Sequence, residues 1–286
     1  MQFKDLVVST KTIIAMTNLQ VNIDLLYPSL NITDYKVMVK KRGRRKKISH
    51  PEPNKHLPEG SIIYIQYKDQ IRGALLKKKK STNKKFFRNA LTIIMVLKNS
   101  DDSNKLINFK ISKNGKFQIT GCKSLDNAKK VIHYMWQLIK NTNAYTLVDK
   151  QFTVIYHTVM TNVDFNLGFI VNREALDKHI NYSTKYNSLL ETSFGYTGIN
   201  IKFPITHSLD NVEIPTFTLK DNEWIESVTL YKDIPSKKKK KYNTFLVFHS
   251  GNIIMSGMIE QLMKPAFDIF QKIIKECRNE IEEKLD

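Results

Sequence analysis

The chain has 286 residues, 41% of them hydrophobic, enough to bury one large core or two of about 140 residues each, which excludes a polypeptide disordered throughout. Its 46 basic and 27 acidic residues leave a net charge of +19, and that imbalance points to a polyanionic partner, nucleic acid before an anionic membrane. Two cysteines, Cys122 and Cys277, are too few for a disulfide framework or a zinc knuckle and are expected to be core thiols in a reducing compartment.

The predicted elements begin with a strand at Ile13–Met16 and a short helix over Asp24–Leu30. A basic, proline-containing stretch from Lys40 to Pro58 follows, and its KKRGRRKK run at 40–47 reads as a nuclear localisation signal or as an arm for phosphates. Strands are predicted at Ser61–Tyr67, Ala90–Lys98, Lys105–Ser112 and Lys116–Thr120. A helix closes this half, with Ala128, Val131, Ile132, Met135, Leu138 and Ile139 at steps of three and four and Ser124 at its start.

The same order then begins again. A strand at Phe152–Tyr156 leads to a helix over Asn172–Ile180, capped by Asn172 with Glu174 in its first turn. Strands are expected at Gly198–Ile205, Ile225–Lys232, Asn243–His249 and Asn252–Ser256 as counterparts of the first four. The last helix carries Ala266, Phe267, Phe270, Ile273, Ile274 and Cys277 on one stripe, with Pro265 in its first turn. Two phrases tie the halves together: AMTNLQVNI at 15–23 with VMTNVDFNL at 159–167, an offset of 144, and GKFQITG at 115–121 with GNIIMSG at 251–257, an offset of 136. The chain is thus a tandem duplication, 1–145 with a basic insertion at about 40–58, and 146–286.

Strands such as Thr244–Phe248 and Leu91–Leu97 are apolar on both parities, so both faces of the sheet need cover. Turns at Asn114-Gly115 and Ser250-Gly251 favour antiparallel hairpins. Two long helices cover one face and leave an apolar second face for a partner.

This arrangement resembles the TATA-box-binding protein family. The residues that carry the likeness are Thr12 to Leu25 (TIIAMTNLQVNIDL), Ser112 to Ser124 (SKNGKFQITGCKS) and, best of all, Phe245 to Gly257 (FLVFHSGNIIMSG). In element order it spans most of the chain, and its divergence suggests a version from a large DNA virus or a deep eukaryotic branch. The resemblance implies an α+β fold: a tandem pseudo-symmetric repeat forming a saddle-shaped curved antiparallel sheet, with helices on the convex face and the concave face on the DNA minor groove. Aromatic wedges between base steps open the groove, while Lys and Arg hold the phosphates.

Carried over residue by residue, Phe248 is a wedge, three residues before the Gly251 turn. Its first-copy counterpart is blurred among Ser112, Ile111 and Phe109. The second wedge of each copy belongs just before the third strand, where Phe86 and Phe87, and then Trp224 and Ile225, stand. Thr120 and Ser256 match the family's hydroxyl that donates to minor-groove acceptors. Thr12 occupies the place of one base-contacting asparagine, and the other falls near Tyr156 or His157, which puts the usual A·T preference in doubt. Lys77, Lys78, Lys79, Lys80, Lys84 and Lys85, in a loop descending beside the DNA, and Lys116 on the last strand are the expected phosphate contacts. The acidic Ser100–Ser103 loop answers a Lys237–Lys241 tip in the second copy.

Enzyme chemistry has no visible address. None of the seven histidines forms a metal-ligand pair, and neither a Walker loop nor a G-x-S-x-G turn occurs. No apolar run reaches membrane-spanning length, and no signal peptide opens the chain. The expected protein is therefore soluble, without cofactor or metal, bound to double-stranded promoter DNA with general transcription factors of the TFIIB type and RNA polymerase. Its expected place is the nucleus, or the cytoplasmic factory or virion of a virus. The competing readings are a nonspecific DNA-packaging protein and a glycosylase-like saddle domain.

Overall fold

A computed structural model describes residues 2–37, 54–76, 88–191, 198–234 and 241–283. In chain order the elements are β1 (Val8–Thr17), β2 (Leu19–Val21), α1 (Ile23–Ser29), β3 (Ile62–Tyr67), β4 (Gln70–Gly73), β5 (Ala90–Lys98), β6 (Asn104–Ser112), β7 (Lys116–Cys122), α2 (Leu125–Ile139) and β8 (Tyr145–Leu147). They continue with β9 (Phe152–Asn166), β10 (Ile170–Val171), α3 (Arg173–Ser183), β11 (Asn187–Glu191), β12 (Gly198–Pro204), β13 (Glu213–Lys220), β14 (Glu223–Leu230), β15 (Tyr242–Phe248), β16 (Asn252–Gly257), α4 (Glu260–Ile281) and β17 (Glu282–Glu283). The class is α+β, and the pairings β12–β15, β15–β16, β16–β9, β3–β5, β5–β6 and β6–β7 are all antiparallel, as the turn chemistry required.

Two compact units form. The first comprises Ile13–His157 and Ile214–Thr229, and the second Met1–Thr12, Thr158–Glu213 and Leu230–Asp286. In the first, β7, β6, β5, β3 and β4 follow one another from the end of β1. Their inward residues, among them Leu91, Ile93, Ile107, Phe109, Phe117 and Ile119, pack under Val131, Ile132 and Met135 of α2 at essentially zero exposure. In the second, β16, β15, β12 and β11 follow one another from the end of β9. Val163, Ile199, Ile201, Phe245, Val247 and Met255 pack under Phe267, Phe270 and Ile274 of α4. Phe245 stacks on Phe270 at 4.2 Å between centroids with the rings 7° apart.

The repeat is written in backbone hydrogen bonds. Thr17 N–H donates to Gly115 O, and Leu167 N–H to Gly251 O; Val21 donates to Lys113 O, and Val171 to His249 O; Asn22 donates to Ala144 O, and Asn172 to Ile281 O. Asn22 and Asn172 cap α1 and α3, accepting from Leu25 N–H at 3.2 Å and Ala175 N–H at 2.9 Å. Gly115 (φ 66°) and Gly251 (φ 77°) lie where a Cβ would collide with the carbonyl oxygens of Leu19 and Phe169. These pairs confirm the 136 offset at the C-terminal end of each copy, but at the N-terminal end they set an offset of 150 (Thr17 to Leu167, Asn22 to Asn172). The matching Met-Thr-Asn phrases, at 144, are six residues out of register with the fold. A shared phrase cannot outweigh a cap and a turn that backbone geometry requires.

Three further expectations are corrected. β15 pairs with β12, as β6 pairs with β5, so the counterpart of β5 is β12 (Gly198–Pro204) and not Ile225–Lys232. The latter belongs to an inserted β13–β14 hairpin, reversed at Asp221 and Asn222 in left-handed backbone, whose β13 pairs with Phe152–Ile155 of β9. Helix α4 starts at Glu260, so Pro265 stands inside it, where its missing N–H forgoes the bond to Gln261. In α2, Leu138 is 38% exposed and off the buried stripe. Ser124 is its N-cap residue without a side-chain cap bond, and Asn127 Oδ1 accepts from Lys123 N–H instead.

Both cysteines are buried free thiols, and burial pushes each up to about 11. Among the described residues no helix is long and apolar enough to cross a membrane, and no cluster of His, Cys, Asp and Glu could hold a metal ion.

Candidate nucleic-acid interface

Because successive strand residues point to opposite faces, the residues between those buried under the helices mark the open face of each unit. In the first unit these are Thr92 and Ile94 on β5, Leu106, Asn108, Lys110 and Ser112 on β6, and Lys116, Gln118 and Thr120 on β7. In the second they are Asn200 and Lys202 on β12, Thr244, Leu246 and Phe248 on β15, Ile254 and Ser256 on β16, and Asn162 and Asp164 on β9.

Thr120 and Ser256 occupy the same place in the two copies. Thr120 lies across from Asn108, and Ser256 across from Thr244. The Thr120 hydroxyl donates to Asn108 O at 2.9 Å, a bond it can exchange for a base acceptor. Ser256 has Asn162 as its partner on β9.

Asn162 is the residue that sequence reading missed. At the structural offset of 150 it, and not Tyr156 or His157, is the counterpart of Thr12; Tyr156 is 3% and His157 5% exposed. The helix caps Asn22 and Asn172, used as the alignment anchor, would have found it. Its Oδ1 is buried without a hydrogen-bond partner, as is that of Asn200. Thr12 itself is 8% exposed on β1.

Phe248 is half-buried at the end of β15, on the face opposite Phe245 and Val247. Gly198 stands across from it. A Cβ there would come within 2.9 Å of Leu246 Cδ1, so the Leu246 side chain fills the space that a larger residue at 198 would take. The turn bonds Gly115 N–H to Ser112 O and Gly251 N–H to Phe248 O make Ser112 its counterpart. Phe109 and Ile111 are fully buried under α2 and are not alternatives. Only the second copy carries an aromatic ring at this place.

Trp224 is not brought to the open face. It lies 5.7 Å from Phe152 in a T-shaped contact, and Phe152 stacks at 4.4 Å on Trp136 of α2, so Trp224 closes the helix-side core of the first unit. Ile225 beside it is 50% exposed. With β12 as the third strand, the segment just before it is 192–197, outside the described residues. Phe86, Phe87 and the lysines 77–80, 84 and 85 also lie outside them, as do 40–47 and 237–240. Lys116 opens β7 on the open face, with Lys110 two strand positions away from Ser112 on β6.

The first unit's open face is partly covered by its own chain. Leu57, Ile63 and Val96 form a small buried cluster flanked by Tyr35, Tyr64, Leu76, Ile94 and Leu106. Asn54 ties the covering segments together, accepting from Lys36 N–H and donating to Lys36 O, both at 2.9 Å. Beside this cluster is a cavity of about 420 Å³ walled by Tyr64, Leu75, Leu76, Ile94 and Leu106, with Gln66, Thr92 and Asn108 as its polar groups. Burial there pushes the Tyr64 phenol up, and its hydroxyl donates to Gln66 Oε1 at 2.8 Å.

No family model matches the chain. It is 26% identical over 309 residues to the uncharacterized protein 335L of Invertebrate iridescent virus 6, covering 97% of this chain and 86% of that protein. It is 29% identical over 177 residues to a TATA-box-binding protein-like protein of Acanthamoeba polyphaga mimivirus, covering 51% of this chain and 47% of that protein. The solved structure of Methanococcus jannaschii TBP has a TM-score of 0.44 and 12% identity, with 95% of this chain and 98% of that one covered. The resemblance read from the residues thus recurs in a curated viral relative.

Proposed function

We propose that this chain is a viral transcription initiation factor of the TATA-box-binding type, which binds promoter DNA through the minor groove and bends it. It acts by binding and not by catalysis, in concert with a TFIIB-type factor and RNA polymerase, in the nucleus or a cytoplasmic viral factory. The observation that carries this reading is the pair of hydroxyls Thr120 and Ser256 at equivalent places on two open faces, the second beside Asn162. Hydroxyl and amide donors suit the N3 and O2 acceptors on the groove floor. The likeness to the mimivirus protein supports the same reading.

Selection of bound sequences from a random duplex pool tests it, followed by energy transfer across an end-labelled duplex of the winner. A preferred sequence that is bent on binding is expected, with affinity falling by several log units per log unit of salt. A pool without any preferred sequence would leave the packaging reading, which the net +19 favours.

A further inference from the structure

The open face of the second unit carries one group that does not suit an A·T groove floor. Asp164 lies between Val163 and Phe165, both packed under α4, so it is turned to the opposite side. Ile254 stands across from it, Leu246 across from Ile254, and Asn200 across from Leu246, giving one row over four strands. The Ser9 hydroxyl donates to Asp164 Oδ1 at 3.0 Å and is shared with Asn162 O at 3.2 Å, which orients the carboxylate and leaves Oδ2 open. No Lys, Arg or His pairs with Asp164 among the described residues.

A carboxylate only accepts. The minor-groove edges of A·T and T·A present only acceptors, N3 and O2, and the single donor on that floor is the exocyclic 2-amino group of guanine. A duplex laid on this face with A·T over Asp164 would bury a charge against acceptors, near phosphates of the same sign, with nothing to offset its lost hydration. With G·C there, the amino group supplies a charge-assisted hydrogen bond. Asn200 closes the same row and Asn162 stands beside it, leaving the Asp164 carboxylate as its charged group.

We propose that Asp164 is a specificity-determining residue that selects a guanine 2-amino group at one base step on the second unit. This inference rests on the minor-groove reading above. The first unit has no such acceptor: at the offset of 150 the counterpart of Asp164 is Ile14, and the counterparts of Leu246 and Ile254 are Lys110 and Gln118. The requirement is therefore one-sided, which gives the bound sequence a direction.

The test uses the full chain and duplexes taken from the selected pool. At each step in turn, G·C is replaced by inosine·C, which removes the 2-amino group and leaves the major groove alone, and A·T by diaminopurine·T, which adds it. The expected result is about a tenfold loss with inosine at one step in one half only, and a gain with diaminopurine at that same step. Asp164→Ile, the residue of the other copy, should abolish both responses and raise the affinity for duplexes with A·T at that step, because the unpaired carboxylate is gone. Asp164→Asn, which preserves shape, should weaken them and serves if the isoleucine variant does not fold. Indifference of the unaltered protein to the amino group at every step, with duplex binding intact, overturns the inference alone. Retention of the inosine effect in both variants does the same. Failure to retain any duplex overturns the minor-groove reading together with it.

Discussion

The two copies agree in their scaffold and part ways on their open faces. Equivalent carbonyls receive equivalent amides at Gly115 and Gly251, equivalent asparagines cap α1 and α3, and equivalent hydroxyls stand at Thr120 and Ser256. On the open face, Ser112 answers Phe248, Lys110 answers Leu246, Lys116 answers Asn252 and Ile14 answers Asp164. At these four places one copy carries two lysines and the other a ring and a carboxylate. Duplication followed by divergence of exposed positions leaves the backbone contract intact, because a turn needing φ above zero tolerates few residues while an outward side chain tolerates many.

The sharpest break between scaffold and face should be seen within one strand. Phe245→Ala removes a fully buried ring stacked on Phe270 and should cost about 3–5 kcal/mol of stability. Phe248→Ala, three residues on, should cost less than about 1 kcal/mol yet abolish most of the bending. Thermal unfolding with end-labelled duplex transfer reads both. A large loss of stability for Phe248→Ala with normal bending would make it a packing residue.

Next come the paired hydroxyls. Thr120→Val and Ser256→Val should each weaken duplex binding by about 1–3 kcal/mol, and Asn162→Ala by a similar amount, with Thr12→Ala smaller because that residue has no amide to offer. Titration of one selected duplex with all four variants measures this. Equal, negligible losses would remove the shared places from the site.

The smallest expected effect is a charge exchange. Lys116→Asn should lower the slope of log affinity against log salt by about one, and Asn252→Lys should raise it by about one, if each place overlies a phosphate. Salt titrations of the single variants and of the double exchange, which should restore the original slope, check the equivalence directly.

Much of this scaffold was legible because it is local. The stripes of α2 and α4, the Asn172 cap, the glycine turns and the all-round apolar strands all follow from periodicity and turn chemistry. The register of the first strands was not, since the repeated Met-Thr-Asn phrase outweighs, as a pattern, a lone Asn followed by a helix. That phrase hid Asn162. Trp224 was misplaced for a different reason: nothing in its strand-like surroundings distinguishes the β13–β14 hairpin from the sheet strand it was mistaken for, and only its contact with Phe152, far away in sequence, separates them. Asp164 carries no signal in the sequence because its meaning depends on which face it occupies.

The hairpin also bears on how the chain comes off the ribosome. Residues Ile214–Thr229 complete the unit that begins at Ile13, and Met1–Thr12 belong to the unit that ends at Asp286. Neither half can finish its core as it is made. At about 5–20 residues per second the first unit waits several seconds for its last strands, with the flank of β9 at Phe152–Ile155 unpaired meanwhile. Pairings this distant in sequence are slow to close. The nascent protein is thus expected to depend on holding chaperones until synthesis is nearly over, and a fragment cut at the repeat boundary should yield two sticky halves in place of two domains.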